Sequence, residues 1–224
     1  MVVAIDGSAG SGKSTTAAAA AARLGFRHLD SGAIYRAVTR ALLDAGLSGA
    51  ALDAVTPDEL AALAVDVRWT EQDMQVRTGG KPVPEQALRS ERVTAAVSQV
   101  AAIPAVRAHL LELQRTAARG PGLVAEGRDM GTVVFPEAEV KVFLDAHPRE
   151  RARRRLLQRG IRPDDAEIEA EAVLLTRRDQ RDASRSVAPF LQAGDAVLLD
   201  TTALDPAAQT DAIVRLVEAA RGSG

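Results

Sequence analysis

The sequence predicts an α/β fold: a parallel five-stranded sheet with helices on both faces, a small antiparallel insert and a short lid. Three observations predict it. Short apolar runs alternate with helical patterns along most of the 224 residues, the order that builds a parallel sheet covered on both sides. A glycine-rich loop of the form G-x-x-x-x-G-K-[ST] stands between the first apolar run and the first helical pattern. One stretch, 65–83, switches to alternating apolar and polar residues.

The elements follow in order. Val2 to Ile5 reads as the first strand, and 13–24, rich in alanine and stopped by Gly25, as the first helix. Arg27 to Asp30 is a short second strand before a helix at 32–46. The alternating stretch VDVRWTEQDMQVRTGGKPV carries Gly79-Gly80, a hairpin signal, inside an insert at about 60–90. Residues 92–118 are helical, with Pro104 starting or kinking the second half. Leu123 to Ala125 and Glu139 to Asp145 are the third and fourth strands. Helices at 148–159 and 165–183 are broken by RGIRPD, which reads as a short hinge or the tip of a lid. Ala196 to Asp200 is the fifth strand, and a helix at 206–221 follows. The chain reads as a single domain, 1–224, long enough for one sizeable core.

Composition narrows the function. Hydrophobic residues make up 46% and charged residues 26%, an ordinary globular balance. A net charge of −2 argues against a protein that coats nucleic acid. The chain has no cysteine, which excludes disulfides, thiolate catalysis and cysteine-based zinc sites and makes a reducing cytoplasm the expected setting. His28, His109 and His147 show no metal-ligand spacing. No apolar run approaches the roughly 18 residues that span a membrane, and no leader-like N-terminus is expected.

The loop states chemistry. Gly7, Ser8, Ala9, Gly10, Ser11, Gly12, Lys13 and Ser14 spell GSAGSGKS, with Thr15 next. Glycines let backbone N–H groups turn toward phosphate oxygens. Lys13 has the reach for β- and γ-phosphates, the Ser14 hydroxyl can ligate Mg²⁺, and the following helix adds its positive end. In such sheets ligands gather beyond the carboxyl ends of the strands.

Four later clusters bear on where a phosphate would go. In LDSGAIYRA, Asp30 or Ser31 can cap a helix, and Arg36 is either a surface residue or faces a second phosphate. In EGRDMGTVVF, Arg128 and Asp129 lie between glycines at the end of a buried strand. Arg149, Arg151, Arg153, Arg154, Arg155 and Arg159 crowd one helix; most such runs are solvated faces, and one or two members are expected to serve phosphate. Arg178, Asp182 and Arg185, at i, i+4 and i+7, form either a ladder of salt bridges on one helical face or a clamp on a phosphorylated sugar.

With those residues in hand, the chain resembles the bacterial cytidylate kinases, nucleoside monophosphate kinases on the P-loop NTPase fold. The resemblance covers nearly the full length and rests on IDGSAGSGKST, LDSGAIYRAV, SQVAAIPAVR, GRDMGTVVFP, VKVFLDA and RRDQRDASRSVAP. The family commonly has proline where Ser8 stands; position 8 is expected to offer its backbone, so the change should be tolerated. The resemblance implies that Gly7 through Thr15 bind the ATP phosphates, with Ser14 on Mg²⁺. It implies that Arg36, Arg128 and Arg185 hold the acceptor monophosphate, that Ser98, Arg107 and Asp129 read cytosine, and that Arg178 and Asp182 hold the sugar. Ser31 joins the acceptor-binding set, and Lys13, Arg128, Arg154 and Arg185 are the catalytic cations. The implied reaction is ATP with CMP or dCMP giving ADP with CDP or dCDP, in a cytoplasmic monomer that uses neither nucleic acid nor membrane.

The chemistry agrees with cytosine, whose N4 amino group is a donor that a carboxylate accepts, whereas uracil presents an acceptor there. Other readings compete. A kinase for another nucleotide, shikimate or gluconate would share the loop, though the later arginines favour a phosphorylated acceptor. A non-catalytic nucleotide-binding module would bind ATP without acceptor-dependent ADP release. A nucleic-acid-dependent ATPase would need a second motor domain, for which 224 residues leave no room.

Overall fold

The computed structural model describes residues 1–70, 73–120 and 122–222. In chain order the elements are β1 (Val2–Gly7), α1 (Lys13–Leu24), β2 (Arg27–Asp30), α2 (Ser31–Asp44), α3 (Ala50–Asp53), α4 (Pro57–Ala62), β3 (Asp66–Thr70), β4 (Asp73–Thr78) and β5 (Lys81–Pro82). They continue with α5 (Glu85–Leu88), α6 (Glu91–Val100), α7 (Pro104–Ala117), β6 (Leu123–Gly127), a π-helical turn at Met130–Val134, β7 (Val140–Asp145), α8 (Pro148–Gln158), α9 (Asp165–Ala183), β8 (Val197–Asp200) and α10 (Pro206–Gly222). The main sheet is parallel and five-stranded, in the order β2-β6-β1-β7-β8, and the expected α/β class is what the chain forms. Met1–Phe26 with Gly122–Gly224 forms one compact unit, and Arg27–Pro121 a second.

In the first unit β1 lies between β6 and β7, with Ile5 opposite Glu126 and Asp6 opposite Phe143. Val3, Ile5, Val124, Val142 and Leu144 from these strands are fully or almost fully buried with Ala17, Ala20, Ile213 and Val217 from α1 and α10. Burying each large aliphatic side chain stabilises the fold by about 1.5–3 kcal/mol. The alanine run is explained here: Ala17, Ala20 and Ala21 are the buried face of α1, where larger side chains would hold the helix away from the sheet. Gly25 ends α1 in the left-handed conformation, φ 67°, as a C-terminal glycine should.

In the second unit the insert is antiparallel, as expected, with β4 between β3 and β5. Gly79 and Gly80 take φ 54° and 74° at its second turn, the backbone that glycine adopts without strain. Residues 71 and 72, inside the expected insert, lie outside the described residues. The single helical pattern at 92–118 is two helices bent by 98°, with Pro104 in the first turn of α7. The short helices α3, α4 and α5 were not anticipated, although Thr56 and Glu59 form a full capping box on α4. Four to six residues are too few to show a helical period. Among the described residues, no single helix is long and apolar enough to cross a membrane.

Candidate active site

The phosphate loop joins the carboxyl end of β1 to α1 and is tied down by its own backbone. Ser8 N–H donates to Leu144 O at 3.3 Å, and Ser11 Oγ donates to Ser8 O at 2.9 Å. The Lys13 ammonium also donates to Ser8 O, at 2.9 Å. Gly12 caps α1 at φ 98° with no side-chain hydrogen bond, so no side chain competes for the N–H groups of the first turn. Gly10, at φ 79°, sits so close to α8 that a Cβ there would lie 2.8 Å from Arg151 O. Ser8 uses more than its backbone, contrary to expectation: its hydroxyl donates to Asp145 Oδ1 at 2.6 Å. Thr15 lies exposed on the first turn of α1.

Behind the loop, charges from β6 and α9 converge within the first unit. Arg128 Nη1 donates to Asp179 Oδ1 at 2.8 Å and to Gly7 O at 3.3 Å, and its Nη2 lies 3.2 Å from Asp182 Oδ2. The Phe190 ring lies under this guanidinium, 4.6 Å from centroid to Cζ, and stacks on Phe143. Asp182, 1% exposed, also pairs with Arg185 and stands 4.0 Å from Arg178 Nε. The three-residue helical ladder, one of the two readings of this cluster, is incomplete, because α9 ends at Ala183. Arg185 reaches Asp182 from the turn beyond, and Phe190 N–H donating to Asp182 O folds that segment back.

The arginine-rich helix divides by direction. Arg149 pairs with Asp165 and Glu169, and Arg155 and Arg159 pair with Glu171, so these three fasten α8 to α9. Arg153 pairs with Glu150 on its own helix. Arg154 and Arg151 turn inward. Arg154 donates to Thr201 O at 2.6 Å and to Thr201 Oγ1 at 3.1 Å, and lies 3.5 Å from Ser11 O, which ties the segment after β8 to the phosphate loop. Arg151, only 5% exposed, donates to Ala146 O, Ala9 O and Asp179. The expected lid tip at 159–164 includes Gly160 at φ 75°.

Of the remaining predicted residues, all but Asp129 lie in the second unit. Ser31 is buried at the start of α2, where Asp30 is the cap, accepting from Ala33 N–H at 3.0 Å. Arg36, one turn on, donates to Thr94 Oγ1 on α6 and to Leu88 O. Ser98 is half-buried on α6. Arg107, buried on α7, donates to Ala101 O, and its guanidinium lies 5.6 Å from the Tyr35 ring of α2. Three helices of this unit are thus cross-tied through residues expected to touch the acceptor.

Burial perturbs two groups beside the loop. Asp6, at the end of β1, is pushed up to about 6 by desolvation, although Met130 and Gly131 N–H groups donate to it at 2.8 and 2.7 Å. Nearby Asp129 adds to the rise and Lys13 opposes it. Lys13 is pulled down to about 8, first by desolvation and then by Arg128, against Glu126, Asp179 and Asp6. The Ser14 hydroxyl donates to buried Glu126 Oε2 at 2.8 Å. A hydroxyl and a carboxylate at this point are hard oxygen donors and fit Mg²⁺, which favours one or two such groups plus phosphate oxygens.

Sequence reading assigned no role to Asp6, Glu126, Asp179, Thr201 or Gln209, and it named Arg151 only as one of six arginines of which one or two were expected to serve phosphate. Gln209, buried on α10, accepts from Thr16 Oγ1 at 2.8 Å and braces the start of α1. Asp6, Glu126 and Asp179 had a readable signal, lying within IDGSAGSGKST, EGRDMGTVVF and RRDQRDASRSVAP.

A parallel sheet whose first strand runs through a glycine-rich lysine loop into a helix defines a P-loop α/β protein of the nucleotide-binding class. Comparison specifies the family. The cytidylate kinase family matches residues 3–219, and the chain belongs to it. A cytidylate kinase of Rhodopseudomonas palustris (strain TIE-1) is 47% identical over 225 residues, covering 99% of this chain and 97% of the relative. One of Pseudomonas aeruginosa (strain LESB58) is 44% identical, covering 97% and 95%. Among solved structures, an uncharacterized protein from Eubacterium ventriosum shares the fold, with a TM-score of 0.52 at 13% identity over 98% of both chains.

Proposed function

We infer that the protein transfers the γ-phosphoryl group of ATP to CMP or dCMP, giving ADP and CDP or dCDP. Its membership of the cytidylate kinase family carries this reading. Phosphoryl transfer asks the protein for position and positive charge more than for covalent chemistry. The acceptor oxygen belongs to an already ionised phosphate, so no strong general base is needed. Residues 7–15 hold the donor phosphates, and Lys13, Arg128, Arg154 and Arg185 supply cations. In this proposal Arg36, Arg128 and Arg185 hold the acceptor phosphate, Ser98, Arg107 and Asp129 the base, Arg178 and Asp182 the sugar, and Ser31 belongs to the same acceptor site. Ser14, with Glu126 behind it, would hold Mg²⁺, which neutralises phosphate charge when bound. The segment at 154–165 closes as a lid and keeps out water that would otherwise hydrolyse ATP. The proposal keeps the cytoplasmic monomer. Its test is turnover under Mg-ATP with CMP, dCMP, UMP, AMP and shikimate: CMP and dCMP should dominate kcat/KM. ATP binding with no acceptor-dependent ADP would overturn it in favour of a regulatory module.

The lowered Lys13 pKa gives a second expectation. Without nucleotide, Lys13 with a pKa of about 8 is mostly neutral at pH 8.5. Phosphate oxygens favour the charged form and raise the pKa on binding. ATP binding at pH 8.5 should therefore take up protons. The uptake should vanish in Lys13→Met. Calorimetry in buffers of different ionisation enthalpy measures it, and net proton release in the unsubstituted protein would contradict the assignment.

A further inference from the structure

Asp179 is an anion beside the phosphate loop on which two arginines and a loop amide converge. Its Oδ1 accepts from Arg128 Nη1 at 2.8 Å and lies 3.4 Å from Ala9 N, an amide of the loop itself. Its Oδ2 accepts from Arg151 Nη1 at 2.5 Å. The side chain is 15% exposed, and those of Arg128 and Arg151 are 16% and 6%, so solvent screens the cluster weakly. Two guanidinium forks and a loop N–H, with an ammonium close by, are the donors that ordinarily receive a phosphoryl group. Here a carboxylate of the chain receives them.

The two arginines are held unequally. Arg151 also donates to Ala146 O and Ala9 O, which fix it whether or not Asp179 stays. Arg128 keeps Asp182 at 3.2 Å and the Phe190 ring at 4.6 Å, so it stays in place if Asp179 releases it. Burial acts to raise the Asp179 pKa, but the charges and hydrogen bonds of Arg128 and Arg151 hold it below the usual carboxylate range. It is therefore a standing anion at neutral pH. A phosphoryl oxygen set carries more charge than one carboxylate and competes for the same fork.

We propose that Asp179 is a positioning residue: a resident counter-anion that holds Arg128 and the loop at Ala9 in place while the site is without nucleotide, and yields Arg128 to a phosphoryl group when one binds. Rather than touching substrate, it acts through Arg128. It keeps the guanidinium groups of Arg128 and Arg151 and the Lys13 side chain from repelling one another, and it keeps simple anions from occupying the site. The proposal rests on the kinase reading for its substrate but not for its anion chemistry.

The probe is pyrophosphate, titrated calorimetrically into the whole chain, beside kcat and KM for CMP. Asp179→Asn removes the charge and keeps the size. It should bind pyrophosphate at least about tenfold more tightly, because the competing anion is gone. Its kcat should fall at least about tenfold, while KM for CMP stays level or drops. Asp179→Glu restores an anion and should return pyrophosphate affinity toward the original weak value. A merely structural role predicts weaker pyrophosphate binding and a raised KM together, and either result overturns the proposal. Should Asp179→Asn fail to fold, guanidinium NMR of the unsubstituted protein decides: saturating pyrophosphate should shift the Arg128 signals and leave those of Arg151 nearly unmoved. Unmoved Arg128 signals would overturn it. A protein that turns over no CMP defeats the kinase reading but leaves the pyrophosphate comparison intact, so the two failures are distinguishable.

Discussion

Replacing Lys13 by alanine should lower kcat about 10²–10³-fold, the usual loss for one positioned group that stabilises transition-state charge. CMP affinity should change by less than about threefold, because Lys13 belongs to the donor loop. Steady-state kinetics with Mg-ATP, paired with CMP binding by calorimetry, measures both. The fold should survive. Among the described residues the ammonium makes one hydrogen bond, to Ser8 O, worth about 1 kcal/mol, and desolvation already disfavours its charge. A kcat loss would therefore report lost chemistry. Turnover near normal would remove Lys13 from the catalytic set and with it the main reason for placing the γ-phosphate at this loop.

Asp129→Ala should reduce the preference for CMP over UMP at least about 10²-fold in kcat/KM. Sites built on hydrogen bonds reject the wrong analogue by as much as ~10⁴–10⁵. Asp129 is 3% exposed and stands at the junction of β6 and the π-helical turn, where its carbonyl accepts from Val133 N–H at 2.9 Å and Val134 N–H at 3.1 Å. Asp6 grips the same turn through Met130 and Gly131. The backbone there is thus held independently of the Asp129 side chain, and alanine should leave it standing. A carboxylate accepts from the cytosine N4 amino group and opposes uracil O4, so its loss should raise relative activity on UMP as well as lower activity on CMP. An unchanged CMP/UMP ratio would mean that another group reads the base.

The strands and the long helices were legible in the sequence because each repeats a period over enough residues. The strand before the loop, the alanine-rich α1 and the hairpin at Gly79-Gly80 all formed where expected. The short helices α3, α4 and α5 did not announce themselves, and the 98° bend at Pro104 was open between a start and a kink. Of the candidate site, the glycine loop and the clusters at 128–129 and 178–185 were readable as local strings. Two inward arginines among the six at 149–159 were not, because direction on a helix depends on what packs against it.

The sequence by itself determined the order of strands and helices, the phosphate loop and the family resemblance. These depend on spacing along the chain, and spacing survives in a string of letters. Only the tertiary structure decided that Asp179 meets Ala9, Arg128 and Arg151, that Glu126 faces Ser14, and that Arg154 ties Thr201 to the loop. Those partners are separated by 28 to 170 residues. A charge meets so distant a partner only when the sheet brings several strand ends to one edge, and its energy there depends on burial that no local pattern records.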